Sequence, residues 1–310
     1  MRGDDVAVGP FGGSPIEPGP PAPAGNGSER RSSWRSWPGT ASPTVWFAFG
    51  FVALLIVGAA LADWIPGLAN PGIQSGKFHA SPTLDMNGLF GMDPIGRSIF
   101  ARCIYGARVS LTIAVFATLI GMLIGVSLGM LAGYYRGFTE RVVDTYANAL
   151  ASLPPLLVLL ALVAAVGASL GTMTVALGIL GSGMYARVTK GAVISHAGRE
   201  YILAARALGA SDVRIMVQEL LPNLVPAFTS IVPPAMAGLI IVEGSLSFLG
   251  YGIPPPAPSW GGMIASTSDV MNQFPYLLLG PMLAIVLTVY SLNTIGDYMS
   301  ARINVREGQL

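Results

Sequence analysis

The sequence predicts an all-α membrane protein with six transmembrane helices, and three observations lead there. The 310 residues are 52% hydrophobic and only 11% charged, with a mean hydropathy of +0.61, whereas a soluble domain usually carries about 25% charged residues. The apolar residues gather in runs of the length, about 20 residues, that crosses a bilayer. Lys and Arg fall mainly in alternate connections between those runs.

Residues 1–40 are rich in Pro, Gly and Ser, lack apolar periodicity and end in Arg30, Arg31 and Arg35. Such a composition predicts a disordered tail. A secretory signal places a short apolar run directly behind a basic start. Here the first run covers about 44–63, far from the start and long enough to span, and it reads as an uncleaved first helix. The second run covers about 109–133. Between Leu153 and Val188 the apolar stretch is too long for one span and is broken by Gly167-Ala-Ser-Leu-Gly171, which predicts a hairpin of helices three and four. The fifth run covers about 225–249 and the sixth about 276–296.

Positive residues in short loops stay cytoplasmic. With the N-terminus inside, the inner segments hold Arg2, Arg30, Arg31, Arg35, Arg136, Arg141, Arg187, Lys190, Arg199, Arg206, Arg214, Arg302 and Arg306, thirteen of the seventeen Lys and Arg. Lys77, Arg97, Arg102 and Arg108 remain outside, all between the first two runs, so both termini are expected in the cytoplasm. The organisation that follows is a cytoplasmic tail over 1–40, a first helix and outer segment over 41–108, a core of five helices over 109–300 with a cytoplasmic loop at 190–222, and a second tail over 301–310.

Several function classes recede. A net charge of +1 gives no basis for nucleic-acid binding, which needs a clustered basic surface. Cys103 alone can form neither an internal disulfide nor a thiolate cluster, and His79 and His196 lack ligand-like spacing for a metal.

The loop at 190–222 has its own pattern. Tyr201, Ala204, Ala205 and Leu208 recur at helical spacing, with Glu200 early and Arg206 late, both favourable to the helix dipole. Gly209 stands where a helix commonly stops. Ser211 can cap a second helix, Asp212 suits its first turn, and Pro222 is expected to limit its extension. The expectation is a helix, a turn and a helix on the cytoplasmic face; an amphipathic loop lying on lipid fits the same pattern.

Leu203-Ala-Ala-x3-Gly209, continuing after nine residues and two more to Leu221-Pro222, resembles the signature Glu-Ala-Ala-x3-Gly-x9-Ile-x-Leu-Pro of permease subunits in bacterial binding-protein-dependent ABC importers. Leu203 replaces the signature Glu, and Glu219 stands in place of Ile. Further segments resemble the dipeptide/oligopeptide permease C-subunit family. They are Gly91-Met-Asp-Pro-Ile-Gly-Arg97, Tyr105-Gly-Ala-Arg-Val-Ser-Leu111, Gly133-Tyr-Tyr, Val143-Asp144, Leu153-Pro154, Glu243-Gly-Ser-Leu-Ser-Phe-Leu-Gly250, Pro258-Ser-Trp-Gly261 and Asn293-x-x-Gly296-Asp297. In order, they cover about residues 85–300. Met92, Ser98 and the Ser300-Ala-Arg-Ile-Asn tail depart from the usual pattern and bear on fine substrate assignment.

The resemblance implies the type I ABC importer permease fold and a multi-pass place in the cell (cytoplasmic) membrane. The expected substrate is di- or oligopeptides. The partners it implies are a second homologous permease, two ATPase subunits and an extracytoplasmic peptide-binding protein. It places Glu200, Tyr201, Leu203, Ala204, Ala205, Arg206, Gly209, Leu221 and Pro222 in the contact with the ATPase, with Tyr201, Leu203 and the Ala-Ala face buried in its groove. No cofactor is expected on this chain, and ATP and Mg belong to the partner ATPases. The residues concur: the chain has no Gly-x4-Gly-Lys-Ser/Thr loop, and Gly76-Lys77-Phe78 lacks both the glycine spacing and the hydroxyl. Similar permeases move nickel complexes, haem or other small solutes, and those remain alternatives.

Glu243 lies inside the fifth run, where an ionised carboxylate costs about 2.5–3.5 kcal/mol. It reads either as a group on the translocation path, with Ser245 and Ser247, or as a carboxyl hydrogen-bonded between helices. A stand-alone secondary transporter or channel using Glu243, or a subunit that only organises partners, also fits. Asp63 and Asp297 read as interfacial charges, and Trp260 as an interfacial anchor. Gly121, Gly125, Gly129 and Gly133 form a small-residue ridge that serves either subunit pairing or packing within the chain, the latter preferred.

Overall fold

A computed structural model describes residues 42–307. The tail expected over 1–40, with its arginines, lies outside the described residues, as do residues 308–310. The described chain is mostly helical, with a long irregular segment at 61–98.

Helix α1, Pro43–Ala60, opens on Ser42 with proline in its first turn. Residues 61–98 then form an irregular segment with two short tight turns, Ala62–Trp64 and Met86–Gly88. Asp93 organises its end: Oδ1 accepts the backbone N–H groups of Ile95 and Arg97, and Oδ2 accepts Arg97 Nε at 2.7 Å. The Gly91–Arg97 motif is thus a loop wound on a buried carboxylate.

Helix α2, Ile99–Tyr135, runs 37 residues, about 55 Å at the helical rise. It starts ten residues before the apolar run because Ser98 caps it, accepting the Ala101 N–H at 3.2 Å. Arg102 is sheathed there by the Pro71 carbonyl, at 3.1 Å, and by Asp93. Arg136 turns the chain into α3, Gly137–Ser152, which meets α4, Pro155–Val166, at a bend of 83°. A break at 167–169, where the Gly-Ala-Ser interruption was expected to lie, leads to α5, Leu170–Ala197, capped by Ser169.

The small helices α6, Glu200–Ala207, and α7, Asp212–Arg214, follow. A wide π-turn over Ile215–Leu220 carries the chain into α8, Leu221–Leu246, and a second one over Ser247–Tyr251 ends it. Pro222 therefore does not stop the helix. It sits in the first turn of α8, where the wide turn has already taken the carbonyl ladder out of step: the Leu221 N–H reaches Met216 O, five residues back. Helix α9, Trp260–Thr267, and a tight turn over Pro275–Leu278 precede α10, Leu279–Glu307.

Among the described residues, four helical stretches are long and apolar enough to cross a membrane: Pro43–Ala60, Ile99–Tyr135, Asp212–Tyr251 and Pro275–Ile303; the bent α3–α4 pair makes five if taken as one span. The difference from six lies at the expected third and fourth helices. Helix α4 alone is 12 residues, about 18 Å, and α5 carries Arg187 and Lys190 in its second half.

The core is the α2–α5 seam. The glycine ridge packs within the chain: a Cβ at Gly121 would meet Gly178 O, at Gly125 Ser182 O, at Gly129 Ala186 O, and at Gly133 the Val193 side chain. Both series ascend together, so α2 and α5 run parallel with backbones nearly touching. Lys190 of α5 then binds Asp144 at 2.7 Å and Glu140 at 3.3 Å, fastening α3 to the same end.

The two ends of α2 are built differently. At its start, Ile99 and Cys103 pack with Phe90, Met263, Leu277 and Tyr276. Trp260 stands beside this group, in the neighbouring cluster with Ala107 and Ile240, and is fully buried, not an interfacial anchor. Its Nε1 donates to Cys103 O at 2.9 Å, and Gly106 leaves room for its ring. At the far end, Met130 joins Tyr185, Val193, Ile202, Ile215, Leu220, Leu224 and Phe228 in a second cluster, on which α6 and the π-turn rest.

Candidate functional site

Helix α6 is eight residues held at both ends by local chemistry. Glu200 lies in its first turn and Arg206 in its last. The chain reverses at Gly209, whose φ of +81° suits glycine and strains other residues. The Ala210 N–H closes the turn on Ala205 O at 3.1 Å. Ser211 then caps α7 by accepting the Arg214 N–H at 3.4 Å. The helix, glycine turn and capped second helix expected from the sequence are all present.

Their facing differs from expectation. Ile202, which the sequence reading passed over, is the fully buried anchor, packed with Ile215 and Leu220. Tyr201 and Ala205 turn partly inward against the same cluster, and Tyr201 Oη lies 3.2 Å from His196 Nδ1. Leu203 is 52% exposed and Leu208 88% exposed, with Ala204 and Ala207 open between them. The Ala-Ala pair is thus split, one alanine to each side, and Tyr201 belongs to the protein's own core. The signal that could have found Ile202 is its register: it sits three residues before Ala205 on the face that Ile215 and Leu220 continue. Leu221 is half-buried and Pro222 exposed at the start of α8.

The second group expected from the sequence also divides. Glu243 is 1% exposed. Ser110 Oγ of α2 donates to its Oε2 at 3.0 Å, and Ser247 Oγ donates to its Oε1 at 2.7 Å. Ser259, which caps α9, donates in turn to Ser247 Oγ at 3.3 Å. One carboxyl therefore joins α2, α8 and the entry to α9, the arrangement of a group hydrogen-bonded between helices. Ser245 points elsewhere. Its hydroxyl bonds back to Ile241 O at 2.8 Å, and it lines an open cavity of about 380 Å³ with Ile241, Gly244, Phe248, Leu249, Ile264 and Ile285.

Of the interfacial acids, Asp297 is exposed on α10. Asp63 binds Arg108 at 2.8 Å and accepts Tyr105 Oη at 2.9 Å. Arg108 also donates to the Ala59 and Ala60 carbonyls. The Tyr-Gly-Ala-Arg motif thus closes the end of α1 against α2.

Membrane-length helices packed on a close seam, with a small exposed helix carried beyond them, are the architecture of a multi-pass helical membrane subunit. Residues 125–307 match the family described as binding-protein-dependent transport system inner membrane component, and the chain belongs to that family. It is 38% identical over 248 residues to the glutathione transport system permease protein GsiD of Shigella flexneri serotype 5b, covering 80% of this chain and 81% of the relative. The protein of the same name from Escherichia coli O157:H7 is 37% identical over the same length and shares. Among solved structures, the inward-facing MetNI methionine ABC transporter superposes with a TM-score of 0.54 at 19% identity, covering 65% of this chain and 95% of that one. That likeness concerns the fold.

The family read from the sequence is borne out. The chain is a multi-pass inner-membrane permease component of an ABC importer, and not a catalytic subunit. Membership implies an ATPase, a partner permease and a binding protein around it.

Proposed function

We propose that this chain is the transmembrane permease subunit of an ATP-driven importer of di- or oligopeptides, forming half of the translocation path beside a second, homologous permease. Two ATPase subunits carry ATP and Mg, and an extracytoplasmic peptide-binding protein delivers the substrate. The relatives named for glutathione, a tripeptide, support the peptide class.

The observation that carries the coupling role is α6, anchored by Ile202 and offering Leu203, Ala204, Ala207 and Leu208 to a partner. An exposed apolar helix face entering a groove is a recurring mode of recognition. Glu200 and Arg206 lie at its rim, Gly209 shapes the turn that presents it, and Tyr201, Ala205 and Leu221 hold it from behind, with Pro222 beside them.

Six crossings with both termini cytoplasmic remain the preferred topology. Helix α5 runs parallel to α2 along the glycine ridge and so passes through the same depth, with Lys190 paired to Asp144 and Glu140 and Arg187 bonded to Ala147 O of α3. The bent α3–α4 pair supplies the return crossing. Ser245, on the cavity, belongs to the path, with the Glu243 and Ser247 pair supporting the wall behind it.

The test is Leu208→Glu in the assembled importer. The residue is 88% exposed, so folding and membrane abundance stay at the parental level. ATPase co-purification falls at least about tenfold, the scale expected when a charge enters an apolar interface core. Uptake of labelled glutathione or a dipeptide falls with it. Parental association and uptake in Leu208→Glu would overturn the coupling role.

A further inference from the structure

The last turn of α2 ends in Tyr134 and Tyr135, their rings perpendicular with centroids 5.1 Å apart. Both hydroxyls meet one carboxylate. Tyr134 Oη donates to Asp212 Oδ1 at 2.6 Å, and Tyr135 Oη donates to Asp212 Oδ2 at 3.3 Å. Arg206, in the last turn of α6, donates from Nη2 to Tyr134 Oη at 3.2 Å and holds its guanidinium over the Tyr134 ring. Three elements, α2, α6 and α7, therefore converge on one polar knot. Its members are 72 and 78 residues apart in sequence.

We propose that this knot is a latch through which movement of α6 is passed to α2. The inference rests on the coupling role given to α6 above. Chain continuity links α6 only to α5 before it and to α7 and α8 after it. Tyr201 adds a hydrogen bond back to His196 of α5, and the contacts of Ile202 with Ile215 and Leu220 are apolar, which hold two surfaces together without fixing their direction. Directional hydrogen bonds do fix it: Arg206 ties α6 to Tyr134 of α2, and the two phenols tie α2 to Asp212 at the start of α7. The latch sets the bearing of α6 against the end of α2. Because α2 and α5 touch backbone to backbone from Gly121 to Gly133, a displacement entering at Tyr134 carries both helices as one body. It also reaches Ser110, and through it Glu243 and α8.

Tyr134, Tyr135 and Asp212 are not themselves among the residues given to the ATPase contact; Tyr134 meets it only through Arg206 at its rim. The experiment uses the complete importer in proteoliposomes, with Tyr134→Phe/Tyr135→Phe and, separately, Asp212→Asn. The phenyl rings keep the packing and the amide keeps the shape. ATPase co-purification, melting temperature and basal ATP hydrolysis stay at parental values. Peptide imported per ATP hydrolysed falls about fivefold, the scale of one or two lost hydrogen bonds. Combining the changes is no worse than either alone, since both open the same latch, and Asp212→Glu retains more of the ratio than Asp212→Asn.

An unchanged ratio in both variants overturns the latch, and so does loss of ATPase association, which would make these residues part of the dock. Failure of the underlying reading looks different, because Leu208→Glu would then keep its ATPase. A latch that fails alone leaves Leu208→Glu defective and both latch variants normal.

Discussion

Asp63 shows how one exposed carboxylate can be held by its neighbours. The Arg108 guanidinium, followed by the Tyr105 hydroxyl, keeps its pKa below the usual carboxylate value. The sign follows from the lowered folded value: the contribution is complete above the unfolded pKa, about 3.9, and is lost as pH falls through the lower folded one. The tie between the end of α1 and α2 should therefore be indifferent to pH near neutrality and loosen only on the acid side. Trp64, beside Asp63 and 83% exposed, is a local reporter. Its fluorescence, taken as the difference between the parent and Trp64→Phe, should change below about pH 4 and stay flat in Asp63→Asn. An acid step of equal size in Asp63→Asn would refute the assignment. The acids themselves were legible in the sequence, since a carboxylate beside or inside an apolar run is conspicuous. Their partners were not. Ser110 lies 133 residues from Glu243, and no local pattern announces a pair at that distance. Trp260 misled for the same reason, because its partner, the Cys103 carbonyl, is 157 residues away.

The α2–α5 seam makes the corresponding point for elements. Glycines every four residues on α2 announced a close contact, and α5 answers with Gly178, Ser182 and Ala186 at the same spacing, a match that was present in the sequence but needs both helices in register to be read. At Gly129 a Cβ would collide with Ala186 O and come within 2.7 Å of Thr189 Cβ. Alanine ordinarily gains about 0.5–1 kcal/mol over glycine inside a helix, but overpacking a close contact costs about 1–3 kcal/mol. Gly129→Ala should therefore melt at a lower temperature than the parent in detergent. Gly191→Ala, on α5 with open space around it, should melt unchanged or slightly higher. If the two variants shift equally, close backbone contact is not what the ridge serves. Helix α8 shows where element reading fails. Pro222 looked like a stop because proline removes a hydrogen bond in a regular helix, yet a wide turn ahead of it re-satisfies the ladder, as membrane helices commonly allow. Helix α5 falls short of an apolar membrane-length stretch for a different reason: it carries Arg187 and Lys190, which bond to α3 through Ala147 O and Asp144.

At the scale of the whole molecule, α2 separates an end wound around Asp93, Trp260 and the tight turns before α10 from an end where α6 stands exposed on its cluster. Nothing in the sequence between them supplies chemical work, since the phosphate-binding loop that would hold a nucleotide is missing. A buried acid within a membrane-length helix is a feature that would favour an ion-driven mechanism, and Glu243 is committed to Ser110 and Ser247. A group so tied must give up two hydrogen bonds, each worth about 0.5–1.5 kcal/mol, before it could carry a proton through the bundle. In liposomes, this chain alone should accumulate no labelled peptide under either a pH or a sodium gradient. Adding the second permease, the two ATPase subunits and the binding protein should produce uptake that requires ATP hydrolysis and persists when the gradients are collapsed. Gradient-driven uptake by the single chain, lost on Glu243→Gln, would instead make Glu243 the coupling group and leave α6 without an engine to serve.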